Sequence, residues 1–309
     1  MNRPALILLL LLLGAPLCAE YESNFGRVIL ANSDLIVQGV AGAKRTRIGS
    51  ALQVQVTVQT VLYGEEKASE LTVYFTDDNL LPKNEAVRAL FALKRVAQGG
   101  CNLVGKPVQT AESDVEELDK LSVVREFVQL EREAAGEQRT ADFFALLLKH
   151  VSRGGYAAQN AAVELMFVVR DRGSIVTQER FDALLEARKT ADARLTTATR
   201  DDLTLVQQGM VEVRIKGLKF KAVRRAEKQA ERRAAASELL KLISDYPRAF
   251  TLEDAKLAEA LSDASDDDRL KESLDSAATE IRKHVAIAEA AEKAKQEEAA
   301  RRIRHADGR

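Results

Sequence analysis

Three histidines, two cysteines and two blocks of like charge are the groups in this 309-residue chain whose spacing could serve chemistry. His150 borders the apolar stripe of a helical segment, His284 lies on a charged helix and His305 is in the C-terminal tail. Neither a HExxH pair nor a GxSxG, P-loop or GxGxxG pattern accompanies them. A bound metal needs converging ligands, and a hydrolase needs a nucleophile beside a base. The sequence supplies no such catalytic, cofactor-binding or metal-ligating set, so a non-catalytic protein is expected, with a hydrolase assembled from distant residues as an alternative. His150 reads as a helix C-terminal residue placed favourably against the helix dipole. Asp266-Asp267-Asp268 lacks the spaced oxygens and central glycine of a calcium loop.

Charge distribution carries more information than net charge, which is only −1. Lys216, Lys219, Lys221, Arg224, Arg225, Lys228, Arg232 and Arg233 form a basic block. Glu253, Asp254, Glu259, Asp263, Asp266, Asp267, Asp268, Glu272 and Asp275 form an acidic one. The basic block is the candidate partner-binding surface, suited to anionic lipid, a cell-wall polymer or an acidic protein. In the competing reading the two blocks face each other in an antiparallel hairpin or are simply solvated.

The elements that position these groups follow from periodicity. Leu52, Val54, Val56 and Val58 alternate with Gln53, Gln55, Thr57 and Gln59, a two-residue period that puts aliphatic groups on one face of a strand. Gly64-Glu65-Glu66-Lys67 reverses the chain, and Leu71, Val73 and Phe75 alternate again, completing a hairpin. Further strands are read at 33–40, 86–94 and 101–104, with Val28-Ile29-Leu30 leading into the first. From Ser113 onward the period becomes helical: Ser113 and Glu116 make a capping box, and Thr140–Val151, Tyr156–Arg170 and a helix capped by Thr177 follow between glycines. Residues 203–223 fit both a hairpin and a continuous helix, because Val211, Val213 and Ile215 alternate. Tyr246-Pro247 ends one helix, Thr251 and Asp254 cap the next, and Ile281–Ile303 is Ala-rich with a thin apolar stripe.

Met1–Ala19 has an early Arg, an unbroken Leu/Ile run and a small residue before Glu20, the layout of a signal peptide cut after Ala19. An exported protein, periplasmic or secreted, is expected. A lipid anchor on Cys18 is the competing reading and the only expected route to a membrane, although Leu17 stands where such signals want a small residue. Cleavage leaves Cys101 alone, which excludes an internal disulfide. Cys101 itself reads as a small half-buried residue near a strand end.

The fold class expected is α+β, with an N-terminal antiparallel β-barrel or sandwich and a C-terminal α-helical region. The boundaries are 1–19 for the signal peptide, 25–109 for the β domain, 113–275 for the helical domain and 276–309 for a charged helix or tail. The segments Ser33–Val40, Leu52–Gly64, Leu71–Phe75, Ala89–Arg95 and Asn102–Gly105 resemble a domain of exported bacterial proteins. Their layout is similar to the netrin-like, OB-type barrels of metalloproteinase inhibitors. That resemblance implies a barrel, and an inhibitor of a secreted protease as an alternative function. The chain departs from those inhibitors in lacking disulfides and a mature N-terminal cysteine. The stretch FFALLLKHVSRGGYAAQNAAVELMFVV, with VTQERFDALL, resembles HEAT-like helical repeats, which implies a surface for other proteins. The function expected is a binding or scaffolding protein of the cell envelope, docking a protein partner through its helical region. Nucleic acid is not the expected partner, because export argues against it and Tyr63, Tyr74, Phe75 and Phe91 read as packing aromatics rather than base platforms.

Overall fold

In the computed structural model, residues 26–97, 99–110, 115–133, 136–171 and 173–307 are described. The proposed leader with Cys18 and the Ser113 cap lie outside them. The chain divides into two compact units, one holding residues up to 164 with 191–195, the other 165–190 with residues from 196 onward.

In the first unit the two-residue period becomes a barrel. A short helix α1 (Arg27–Ala31), where the sequence reads an apolar lead-in, precedes β1 (Leu35–Ala41), β2 (Thr46–Ile48), β3 (Ala51–Tyr63), β4 (Glu70–Phe75), β5 (Val87–Arg95), β6 (Cys101–Leu103) and β7 (Val108–Gln109). The β3–β4 hairpin sets Leu52 opposite Phe75, Val54 opposite Val73 and Val56 opposite Leu71, all buried. The outward partners Gln55 and Thr72 hydrogen-bond each other at 3.0 Å. β1 pairs with both β3 and β5, and β6 with both β4 and β5, so the ring β1-β3-β4-β6-β5 closes, with β2 added to β3 and β7 to β5. Five strands in a closed ring cannot alternate direction all the way round. The barrel is therefore mixed rather than wholly antiparallel, and the parallel pair is β4–β6.

Closure bends β1. Its pairing with β3 slips between Ile36 and Val37 and again between Gln38 and Gly39, the irregularity that coils a strand at a barrel corner. A side chain at Gly39 would bring its Cβ to 2.6 Å from the Thr57 carbonyl oxygen and 2.9 Å from Val56, so this crossing needs glycine. Phe91, Leu35, Leu93 and Val56 fill the interior, fully buried. Arg45, in the connection between β1 and β2, is pinned to the barrel: its guanidinium donates to the Asp78 carboxylate at 2.8 Å and lies over the Phe75 ring at 5.8 Å.

Helices α2 (Val115–Glu133), α3 (Gly136–Arg153) and α4 (Gly155–Asp171) follow. α2 touches the barrel, where Arg132 donates to the Leu62 carbonyl at 3.2 Å and lies over the Tyr63 ring at 6.0 Å. α2 and α3 pack through Phe127 and Phe143, whose ring centroids are 5.7 Å apart.

The second unit contains α5 (Gln178–Ala191), α6 (Thr197–Met210), α7 (Lys216–Arg225), α8 (Gln229–Asp245), α9 (Leu252–Asp263) and α10 (Asp268–Asp307). Residues 203–223 are helix: α6 runs into α7 through a π-helical stretch, Val211–Ile215, in which the Lys216 N–H reaches the Val211 carbonyl five residues back. Val211 and Ile215 are buried while Val213 is 47% exposed, the opposite of what a strand would give. Pro247 follows the end of α8, and Thr251 and Asp254 form the expected capping box, the Thr251 N–H donating to Asp254 at 2.8 Å. α8 packs against both α7 and α10, and α10 against α9. On α10 the last buried residue before Arg301 is Ile281, and none of residues 286–301 is buried, a length of about 24 Å. Among the described residues no helix is long and apolar enough to cross a membrane.

Candidate functional site

The basic block divides into bound and unbound cations. Lys216 is held inside the helical packing: its ammonium donates to the Ala249 carbonyl at 2.8 Å and the Asp254 carboxylate at 2.7 Å, and lies 5.7 Å from the Phe250 ring centre. Asp254 thus serves the α9 cap and an ion pair at once. Lys219 pairs with Glu238 of α8 at 2.5 Å and Arg233 with Asp267 at 2.7 Å. Arg232 donates to the Ala226 carbonyl at 2.6 Å and closes the α7–α8 turn. These four are structural, and two of them pair with the acidic block as the hairpin reading expects. Lys221, Arg224 and Arg225 are exposed on α7 and have no ion-pair partner among the described residues. Lys228 pairs with its helical neighbour Glu231 at 3.4 Å, both side chains largely in water. Arg214, outside the block as read from sequence, is also exposed and has no ion-pair partner among the described residues, one turn before α7. The cations of the block that are exposed and unpaired among the described residues therefore lie on the outer face of α7.

A second constellation was not legible as a set. At the α2–α3 contact, Glu126 accepts from His150 Nε2 at 3.1 Å, Lys149 Nζ at 2.9 Å and Arg153 at 2.9 Å, while Arg153 also reaches Asp119 and the Ser122 hydroxyl. His150 has no exposed surface and meets the Phe127 ring edge-on at 5.5 Å. Burial, the largest influence, lowers its imidazole basicity against the opposing pull of Glu126. The neutral ring then carries its proton on Nε2, and Nδ1 is buried without a partner among the described residues. Burial pushes the Glu126 carboxyl up, but hydrogen bonds from Lys149 and His150 outweigh it and hold it at about 2. An ionised carboxylate shared by three donors is a clasp between helices. With no open path to the imidazole, this geometry offers no general base to a substrate. His150 thus acts through Glu126 and the helix contact, where the sequence suggested only the helix dipole.

A smaller polar island lies in the second unit. Gln207, almost fully buried, accepts through Oε1 from Arg188 at 2.5 Å and the Tyr246 hydroxyl at 3.4 Å, while its Nε2 has no partner among the described residues. Tyr246 packs edge-on to Phe181 at 5.9 Å, and burial pushes its hydroxyl pKa up. Among the described residues no group of His, Cys, Asp and Glu is arranged to hold a metal ion. Cys101 is buried in β6, in the barrel core, and burial raises its thiol pKa.

Comparison with protein-family models, with curated proteins and with solved structures finds no match for this chain.

Proposed function

We propose that this is an exported, non-catalytic binding or scaffolding protein of the cell envelope, whose helical region docks a protein partner through the outer face of α7. The observation that carries the reading is the division of the basic block. Four of its cations are committed to the fold, while Lys221, Arg224 and Arg225, joined by Arg214, face water along one helix. Fixed cations at helical spacing steer an anionic surface toward contact. The aliphatic filling of the barrel and the closed character of the Glu126–His150 clasp support a non-catalytic role. The ring order β1-β3-β4-β6-β5, closed by β5–β1 with β4–β6 parallel, supports the netrin-like, OB-type reading of the barrel. Short connections between amphipathic helices support the HEAT-like reading, and the Met1–Ala19 pattern supports export.

In-cell crosslinking followed by affinity capture tests this, with wild type compared against the charge reversals Lys221→Glu and Arg225→Glu together. One recurring stoichiometric partner, lost on charge reversal, is the expected result. Recovery of an uncrosslinked monomer from soluble and membrane fractions alike, or a partner indifferent to the reversal, would overturn it.

A further inference from the structure

Val223, between Lys221 and Arg224, packs in a small core with Ala235 and Ala236 of α8 and Leu270 and Leu274 of α10. That core puts the basic face of α7 at the same end of the second unit as the start of α10. There Asp266, Asp268, Glu272 and Asp275 are exposed and make no ion pair among the described residues, and they outnumber their neighbours Arg269 and Lys271. α8 touches both α7 and α10, and the acids that meet the inner cations are Asp254, Glu238 and Asp267. Among the described residues, a basic face and an acidic face thus stand without ion-pair partners at one end of the same packed unit.

We propose that these faces are the two halves of a self-complementary interface and that its occupant is a second copy of this chain. Laid antiparallel, the α7 face of one copy meets the α10 face of the other, setting Lys221 and Arg225 against Glu272 and Asp268. Each of those pairs of positions is four residues apart, about 6 Å along its helix. A two-fold relation forms the reciprocal contact at the same time. An anionic lipid or polymer would satisfy the α7 face but be repelled by the neighbouring α10 face. A second copy satisfies both. This rests on the reading of α7 as a docking face, and it names the partner.

Sedimentation equilibrium of the purified protein tests it, with one variant carrying Lys221→Glu and Arg225→Glu and another carrying Asp268→Lys and Glu272→Lys. All four positions are exposed, and far-UV circular dichroism checks that both variants fold. At about 0.1 M salt the wild type is expected to dimerise, with affinity reduced at least about tenfold near 1 M, where the screening length falls to about 3 Å. Each variant alone is expected to be monomeric, because its two faces then carry the same sign. An equimolar mixture of the two is expected to regain a 1:1 dimer. A wild type that stays monomeric to about 100 μM, a variant that dimerises as well as wild type, or open polymers in place of closed dimers would overturn the proposal. If the wild type is monomeric yet loses a captured foreign partner on reversal of Lys221 and Arg225, the docking face stands and self-association falls.

Discussion

Replacing Glu126 by Gln keeps the shape of the α2–α3 clasp and an oxygen for the His150 Nε2 proton, but removes the anion that Lys149 and Arg153 share. The carboxyl titrates at about 2 in place of the ordinary 4.5. At about 1.36 kcal/mol per pH unit, that gap corresponds to about 3 kcal/mol of preference for the ionised form in the folded state. The Glu126 side chain is 23% exposed, so solvent screening brings the expected cost of Glu126→Gln to about 2 kcal/mol at pH 7. The folded value lies below the unfolded one, so this stability is fully present above pH 4.5 and is lost as pH falls through the folded value. Wild type and variant should therefore differ by a constant amount above about pH 5.5 and converge between 4.5 and about 2. Hydrogen exchange of α2 and α3 peptides measures the local opening free energy directly, which suits a chain of two units better than one global transition. A loss below about 0.5 kcal/mol at pH 7, or a difference that persists undiminished to pH 2.5, would show that the three donors do not converge on an ionised Glu126.

Four other outcomes follow from the same packing. Burial holds the His150 imidazole below its ordinary 6.5, so only the unfolded chain gains a proton just below that pH; wild type should lose α3 protection as pH falls from 6.5, and His150→Gln should flatten the slope. Lys216→Met is expected to cost about 1–3 kcal/mol in urea unfolding, because the ammonium bridges Ala249 and Asp254 at low exposure, whereas Lys221→Met should stay within about 0.5 kcal/mol. Gly39→Ala pushes a methyl group into the Thr57 carbonyl and should destabilise the barrel by about 1–3 kcal/mol in the same assay. Cys101, buried with a raised thiol pKa, should react with a maleimide at a rate limited by barrel opening, and labelling of folded protein as fast as of unfolded chain would contradict its place in the core.

The strands were legible because β3 and β4 keep a strict two-residue alternation, and the capping signals at Thr177 and Thr251 were legible because they are local. Ring closure was not, since pairing of β1 with β5 and of β4 with β6 joins residues tens of positions apart and leaves no mark on local periodicity. The 203–223 stretch was ambiguous for a definite reason. Its apolar residues Val211, Val213 and Ile215 alternate like a strand, and only the long-range packing of Val211 and Ile215 decides for helix. The basic block was visible as composition, but which cations are free depends on Asp254, Glu238 and Asp267 arriving from other helices. For the clasp there was a faint signal: His150 follows Phe143 and Leu147 on one apolar stripe, and Glu126 stands beside Phe127 on another. Two polar residues interrupting the buried stripes of consecutive helices point to each other.

The π-helical stretch at Val211–Ile215 has a consequence for how this chain tolerates change in length. An α-helix turns by about 100° per residue, so the extra residue in that turn sets the azimuth of everything downstream. Removing one residue from Glu212–Arg214 would swing α7 by that angle, carrying Phe220 and Val223 out of their core and turning Lys221 and Arg225 away from the face they now share. The side chains of Glu212 and Arg214 are exposed and tolerate substitution, but an insertion or deletion there rewrites the direction of every charge that follows. The aim of the basic face is set ten residues upstream, in a turn that lends it a single cation, Arg214.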